Sequence, residues 1–134
     1  QGLRKAVEDS LVEKDPIRLF VKQNVVFDAF VIPLLINEFS KELAKNDEMT
    51  IPMLNEFIVS WYEETVKWLD SVIKVMTNES ALNKELLTSW IKEDIEIMED
   101  AMQSLATFSN NPKELITNVK LELIERLNKT GISL

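Results

Sequence analysis

The spacing of apolar residues along the chain predicts five helices. Apolar positions recur at helical intervals over most of the 134 residues, and only short polar breaks interrupt them. The predicted helices cover about residues 3–13, 16–45, 52–77, 81–107 and 112–128. Because such short connections place neighbouring helices antiparallel, we expect an all-α antiparallel helical bundle with three long and two shorter helices. A single domain would span residues 1–134, with residues 109–134 forming a C-terminal helix after a turn.

Prolines and capping residues mark the predicted helix ends. Asp15-Pro16 places an acid at the N-cap and a proline in the first turn. Thr50-Ile51-Pro52 and the turn that ends in Asn111-Pro112 repeat this arrangement. Gly131 is expected to end the last helix, because glycine accepts the backbone conformation that commonly follows a helix.

The most apolar stretch, KQNVVFDAFVIPLLINEF (22–39), carries an acid and a proline in its middle. At about 100° per residue, its polar residues and those that follow share one stripe: Asn24, Asp28, Glu38 and Glu42. Asp28 therefore belongs to a polar seam that we expect to be open to water at its ends and enclosed at its centre. Pro33 lies on the other side, removes one backbone donor and is expected to bend the helix.

The two following helices have wide apolar faces. On helix 52–77 the apolar arc exceeds half the circumference, which predicts neighbours on two sides. Trp61 and Trp68 share this face; core packing is the usual role of such residues, and contact with a partner protein is the alternative. The same alternatives apply to Trp90. On helix 81–107, Asp94 lies near the centre of the apolar face.

The composition of the chain indicates which classes of ligand it binds and where in the cell it is located. The chain has 15 basic and 23 acidic residues, a net charge of −8 that repels nucleic acid. The longest uncharged apolar run, Ala29–Ile36, is too short to span a bilayer, and no signal peptide is visible. We therefore expect a cytoplasmic protein that binds neither nucleic acid nor membrane. The first residue is Gln rather than Met, so a processed or truncated chain is expected.

The chain contains no Cys and no His. Thiolate chemistry, Cys/His zinc sites and His-based catalytic triads are therefore excluded. Glu96-x-x-Glu99 has the spacing of the Glu-x-x-His motif of dimetal bundles, but it lacks the His and faces solvent. Asp28 and Asp94 remain as buried polar candidates. Neutralisation by Lys, Arg or backbone donors is the favoured interpretation, and a carboxylate-only Mg²⁺ or Mn²⁺ site that also uses Glu64 is the alternative.

Four segments in order resemble a known family. They are QGLRKAVEDSLVEKD (1–15), FDAFVIPLLINEF (27–39), NEFIVSWYEETVKWLDSVI (55–73) and NKELLTSWIKEDIEIMEDAMQSLATF (83–108). Together they resemble the later half of the β subunit of the hydroxylase component of soluble bacterial multicomponent monooxygenases, the diiron enzymes that oxidise methane, alkenes, phenol or toluene. Pro16 departs from the family, where an aromatic residue is usual, as do Lys84 and Leu86, which stand for the common Arg and Val.

The resemblance implies a non-catalytic role. In that family the β subunit is ferritin-like but lacks metal ligands, and it packs against an α subunit that holds the diiron centre. A γ subunit completes a dimer of heterotrimers. We therefore expect no cofactor in this chain, a hetero-oligomer with the diiron α subunit and the γ subunit, and a structural role in the hydroxylase. The competing hypothesis is a free-standing acidic helical-bundle binding or scaffold protein.

Overall fold

The computed structural model describes residues 2–39, 45, 49–105 and 111–134. These residues form five helices and contain no strand, which confirms the all-α bundle with three long and two shorter helices. Helix α1 is Gly2–Leu11, α3 is Thr50–Glu79, α4 is Ala81–Leu105 and α5 is Pro112–Asn128. Helix α2 consists of four consecutive segments: Pro16–Phe20, Val21–Phe27, Asp28–Leu34 and Leu35–Phe39. The predicted continuation of α2 and the predicted turn residues 109–110 lie outside the described residues.

Side-chain caps hold two of the predicted helix starts. The carboxylate of Asp15 accepts hydrogen bonds from the backbone N–H groups of Ile17, at 2.9 Å, and Arg18, at 3.3 Å. Between α3 and α4 the break is a single residue, Ser80, because α3 continues two residues beyond its predicted end. The Ser80 hydroxyl accepts from the N–H of Asn83 at 3.1 Å and so caps α4.

Helix α2 is wound unevenly. The segments Val21–Phe27 and Leu35–Phe39 are π-helical and flank the α-helical segment that contains Pro33. At the junction, the N–H of Asp28 donates to the carbonyl of Gln23, five residues earlier. Because a π turn holds more residues than an α turn, side chains beyond it are rotated away from the positions that a regular helix predicts. Within the predicted seam, Asp28 is half-buried and Asn24, at one end, is exposed, as expected for a seam enclosed at its centre.

Contacts between helices fix their directions. Phe20 meets Trp68 edge to face, with ring centroids 6.2 Å apart. Farther along α2, Ala29 shares a cavity wall with Tyr62, which precedes Trp68 in α3. Helices α2 and α3 are therefore antiparallel. The one-residue link at Ser80 folds α4 back along α3 in the same way.

The hydrophobic core is centred on α2 and α4. Its buried residues are Val21, Val25, Val26, Ala29, Phe30, Leu34, Ile73, Leu87, Ile91, Ile95, Met98, Met102, Ile116, Val119, Leu123, Leu127 and Ile132. Helix α3 contributes little to it. The buried residues of α3 are Leu69, Ile73 and Thr77, all in the C-terminal half of the helix. As expected, α3 contacts neighbours on two sides, α2 and α4, but much of its apolar face is exposed.

By length and composition, the segment Pro16–Asn37 could cross a bilayer, with a mean hydropathy of 1.7. The uncharged run Ala29–Ile36 is shorter than this segment, because the helix also includes the charged residues Lys22 and Asp28. The central helix of a bundle passes the same test, because both a core and a bilayer select apolar residues. In this structure six side chains of the segment fill the core between α4 and α5.

Candidate functional site

The first polar site in the interior is an ion pair between α2 and α4. Both nitrogens at the end of the Arg18 guanidinium donate to the Asp94 carboxylate, Nη1 to Oδ2 and Nη2 to Oδ1, the latter at 2.8 Å. The side chains are 8% and 5% exposed. Glu93 Oε2 lies 3.5 Å from Arg18 Nη2, and the Trp90 ring lies 5.5 Å from the guanidinium carbon. This fork-to-fork geometry is the strongest form of such a pair.

Local structure positions both partners of this pair. Asp15 caps the first turn of α2 and thereby fixes the backbone from which Arg18 projects. Asp94 lies in the middle of α4, on the same face as Ile91, Ile95 and Met98, which are buried in the core. Arg18 therefore reaches the core face of α4 from the beginning of α2.

Burial controls the chemistry of Asp94. Desolvation raises the pKa of Asp94, and the hydrogen bond and charge of Arg18 lower it by less. Both carboxylate oxygens already accept hydrogen bonds from Arg18. The arrangement pairs a buried acid with a buried arginine and gives each carboxylate oxygen a hydrogen bond. Arg18 was missed in the sequence analysis, although a single Arg near the start of a strongly apolar helix is a recognisable signal.

The second polar site lies where α2, α3 and α5 meet. Arg126 Nε donates to Asp70 Oδ1 at 3.0 Å, while Arg126 Nη2 is buried and makes no hydrogen bond within normal geometry. Burial raises the pKa of Asp70, and Arg126 lowers it by less. Burial also raises the pKa of Tyr62. Arg126 lowers this pKa by less, and the charges of Asp28 and Asp70 raise it further. Asp28, Tyr62, Asp70 and Arg126 therefore form an electrostatic cluster. Of these four residues, only Asp28 was predicted from the sequence as a candidate.

Asp28 is the predicted member of this cluster. Burial raises its pKa, and no cation among the described residues offsets this effect. Glu38 and Glu42, from the same predicted stripe, have side chains outside the part of the chain that the structure describes. Asp28 and Asp94 lie in different sites, so the structure does not bring together the pair that a carboxylate-only metal centre would use.

An open cavity of about 340 Å³ adjoins the second site. Its apolar wall comprises Ala29, Pro33, Val66, Val119 and Leu123, and its polar lining comprises Tyr62, Glu63, Lys67, Glu122 and Arg126. The volume falls within the range of small-molecule pockets. However, the unpaired nitrogen of Arg126 is closed off from solvent, so it does not offer a hydrogen bond to a molecule in this cavity.

The remaining carboxylate candidates are surface groups. Glu96 is exposed, and Glu99 pairs with Lys120 of α5 at 2.7 Å, so the Glu-x-x-Glu spacing does not form a metal site. Glu64 is exposed and pairs with Lys67 at 3.3 Å. Among the residues that the structure describes, no group of three or more acidic side chains could hold a metal ion together. The acids of the described residues therefore do not form the ligand cluster that a diiron centre would need.

The three tryptophans occupy two different environments. Trp90 is half-buried and packs against the core beside Arg18. Trp61 and Trp68 are 50% and 60% exposed, so core packing, the more usual role for them, is wrong in this structure. Contact of Trp61 and Trp68 with a partner protein stays a prediction.

Comparisons with known proteins place these features in a family. The family model described as methane/phenol/alkene hydroxylase matches residues 1–80. The phenol 2-monooxygenase oxygenase component DmpL of Pseudomonas sp. (strain CF600) is 39% identical over 85 residues, which are 63% of this chain and 26% of that protein. The corresponding component MhpL of Acinetobacter pittii (strain PHEA-2) is 41% identical over 86 residues, 64% of this chain and 26% of that protein. No solved structure matches the chain.

The matched region contains Arg18, Asp28 and the whole of α3, so the family match covers one partner of the first site and much of the second. The chain spans about a quarter of the length of the curated relatives that it matches. Since the family model covers more than half of this sequence, the chain belongs to the methane/phenol/alkene hydroxylase family.

Proposed function

We propose that this chain is a non-catalytic structural subunit of a multicomponent diiron monooxygenase hydroxylase. It packs against the iron-bearing α subunit, stabilises it and takes part in an assembly that includes a γ subunit. Membership of the hydroxylase family and similarity to two oxygenase components of phenol 2-monooxygenases support a place in such an enzyme.

The observation that favours a structural over a catalytic role is that the buried carboxylate of Asp94 is paired with Arg18. A carboxylate-bridged iron centre in a helical bundle needs inward Glu residues and two Glu-x-x-His motifs. This sequence has no His at all, and Asp94, the most buried acid among the described residues, is held at both oxygens by Arg18. A buried salt bridge of this kind supports a structural role for the interior of the bundle.

Exposed apolar surface supports the association with another subunit. Large side chains along α3 remain exposed, and monomeric soluble proteins rarely leave such faces uncovered. A free-standing acidic scaffold protein is the competing function, supported by the plain helical-bundle pattern and the net charge of −8.

The test is affinity purification of the tagged protein from its own host, with identification of every polypeptide recovered. We expect a stoichiometric second subunit whose sequence contains two Glu-x-x-His motifs and which carries the iron. Recovery of the protein alone, soluble and folded, would refute the proposal and favour the scaffold function.

A further inference from the structure

A small cavity of about 30 Å³ lies between α1, α2 and α4, beside the buried ion pair. Its polar lining comes from Asp9 and Ser10 of α1, Lys22 of α2 and Asp94 of α4. Ser10 and Asp94 are 6% and 4% exposed, so the inner part of the cavity is buried, whereas Asp9 is exposed. A cavity of more than about 10–15 Å³ that offers two to four polar partners meets the requirements of a buried water.

Two of these side chains can accept further hydrogen bonds. The Ser10 hydroxyl donates to the backbone carbonyl of Ala6 at 3.0 Å, so its oxygen is still able to accept. Each carboxylate oxygen of Asp94 accepts one hydrogen bond from Arg18. An ionised carboxylate has about four acceptor sites, so about two remain on Asp94. A molecule in the cavity can therefore donate a hydrogen bond to each of these two side chains.

Lys22 supplies a donor on the opposite wall of the cavity. Its ammonium nitrogen lies 3.6 Å from Glu13 Oε2. Lys22 and Asp94, both among the described residues, make no direct ion pair with each other, although they line the same cavity. Two polar groups that face one space without direct contact are the usual setting of a bridging water.

The size and the charges of the cavity favour water over a metal ion or a larger ligand. Lys22 brings one positive charge to the cavity, and Arg18, which is bound to Asp94, brings a second. These charges repel a metal ion, and no group of three or more acidic side chains among the described residues could hold one. At about 30 Å³, the cavity is also far smaller than the roughly 300 Å³ of the smallest usual ligand pockets.

We propose that one ordered water occupies this cavity and bridges the Lys22 ammonium to the Asp94 carboxylate. The water accepts a hydrogen bond from Lys22 and donates to Asp94 and to the Ser10 hydroxyl, which gives it the roughly three hydrogen bonds typical of a buried water. It connects α1 to the ion pair between α2 and α4, so the polar network joins three helices. All of its partners belong to this chain, so the site does not depend on the assembly proposed above.

The direct test is a crystal structure of the protein, alone or in its assembly, at a resolution that shows ordered waters. We expect density for a water within hydrogen-bond distance of Lys22 Nζ, Asp94 and Ser10 Oγ. A direct contact between Lys22 Nζ and Asp94, or a cavity without density, would overturn the inference. The control is the apolar cavity of about 10 Å³ beside Met102, which should show no water because it has no polar partners.

Nuclear magnetic resonance tests the same site in solution, with two methionines as matched probes. Met98 lines the proposed water site and Met102 lines the apolar cavity, and both are 3% exposed. With isotope-labelled methionine methyl groups, we expect a nuclear Overhauser effect from water to Met98 and none to Met102. Lys22→Gln keeps a donor but removes the rapidly exchanging ammonium protons, so the Met98 signal should persist in this variant. Equal signals at both methionines, no signal at Met98, or its loss in Lys22→Gln would overturn the inference.

Discussion

Replacement of Arg18 by Met tests the buried ion pair most severely. The substitution keeps a long side chain but leaves the Asp94 carboxylate, which is 5% exposed, without its partner. Two charge-assisted hydrogen bonds at about 1.5–3 kcal/mol each are lost. Because neither side chain is open to water, solvent does not screen this pair appreciably. We expect the free energy of unfolding to fall by about 3–5 kcal/mol, the range found when one partner of a buried pair is removed.

The assay is urea denaturation of the purified protein, followed by far-UV circular dichroism at pH 7. The matched control is Arg4→Met, which breaks the exposed Arg4–Glu8 pair and should change stability by no more than about 0.5 kcal/mol. The double substitution Arg18→Met with Asp94→Leu removes both charges, and we expect it to recover at least half of the loss. A loss below about 1 kcal/mol in Arg18→Met, or a double variant no more stable than the single one, would refute the reasoning.

The pH dependence of Arg18→Met follows from the pKa of Asp94. Burial raises this pKa, and the substitution removes the group that lowers it, so the folded-state pKa rises further above its unfolded value. A raised carboxyl pKa means that the folded state binds the proton more tightly than the unfolded state does. The stability deficit relative to the unmodified protein should therefore shrink as the pH falls from 7 towards 4. A deficit that stays constant over this range would contradict the assignment of the loss to an ionised Asp94.

Three further substitutions test other parts of the structure. Asp28→Asn should raise the melting temperature at pH 7, because burial raises the pKa of Asp28 and the charge of its carboxylate therefore opposes folding. The gain should vanish at low pH, where Asp28 is protonated. A lower melting temperature at pH 7 would contradict this. Asp15→Ala removes the cap that accepts from Ile17, and urea denaturation should show a loss of about 1 kcal/mol. Gly131→Ala should lower the free energy of unfolding by about 1–2 kcal/mol. The reason is that Gly131 has a φ of 103° and an added Cβ would lie 3.4 Å from Thr77 Oγ1. An unchanged melting curve would show that the turn tolerates a side chain.

The fold class could be predicted from the sequence because the residues that mark helix starts agree with the helical periodicity of the apolar positions. Pro16, Pro52 and Pro112 all lie in first helical turns, as their fixed backbone angle and missing donor favour. The inward position of Asp94 also followed from periodicity. The identity of its partner did not, because Arg18 is 76 residues away and periodicity gives the direction of a side chain but not its neighbour.

Two features could not be obtained from the pattern. The π turns on each side of Pro33 have no local sequence signal, and they rotate the side chains of α2 away from regular helical positions. The exposure of Trp61 and Trp68 was also unpredictable, because a hydrophobic arc shows that a helix face must be covered but not whether the same chain covers it.

The measurement that tests the central claim most directly is native mass spectrometry of the assembly purified through a tag on this protein. Gentle dissociation would release the subunits one at a time, and the mass of each would show which of them carries iron. The account predicts that this protein leaves the assembly without iron and that the iron remains with a second, different subunit. Stoichiometric iron on this protein itself would contradict the account.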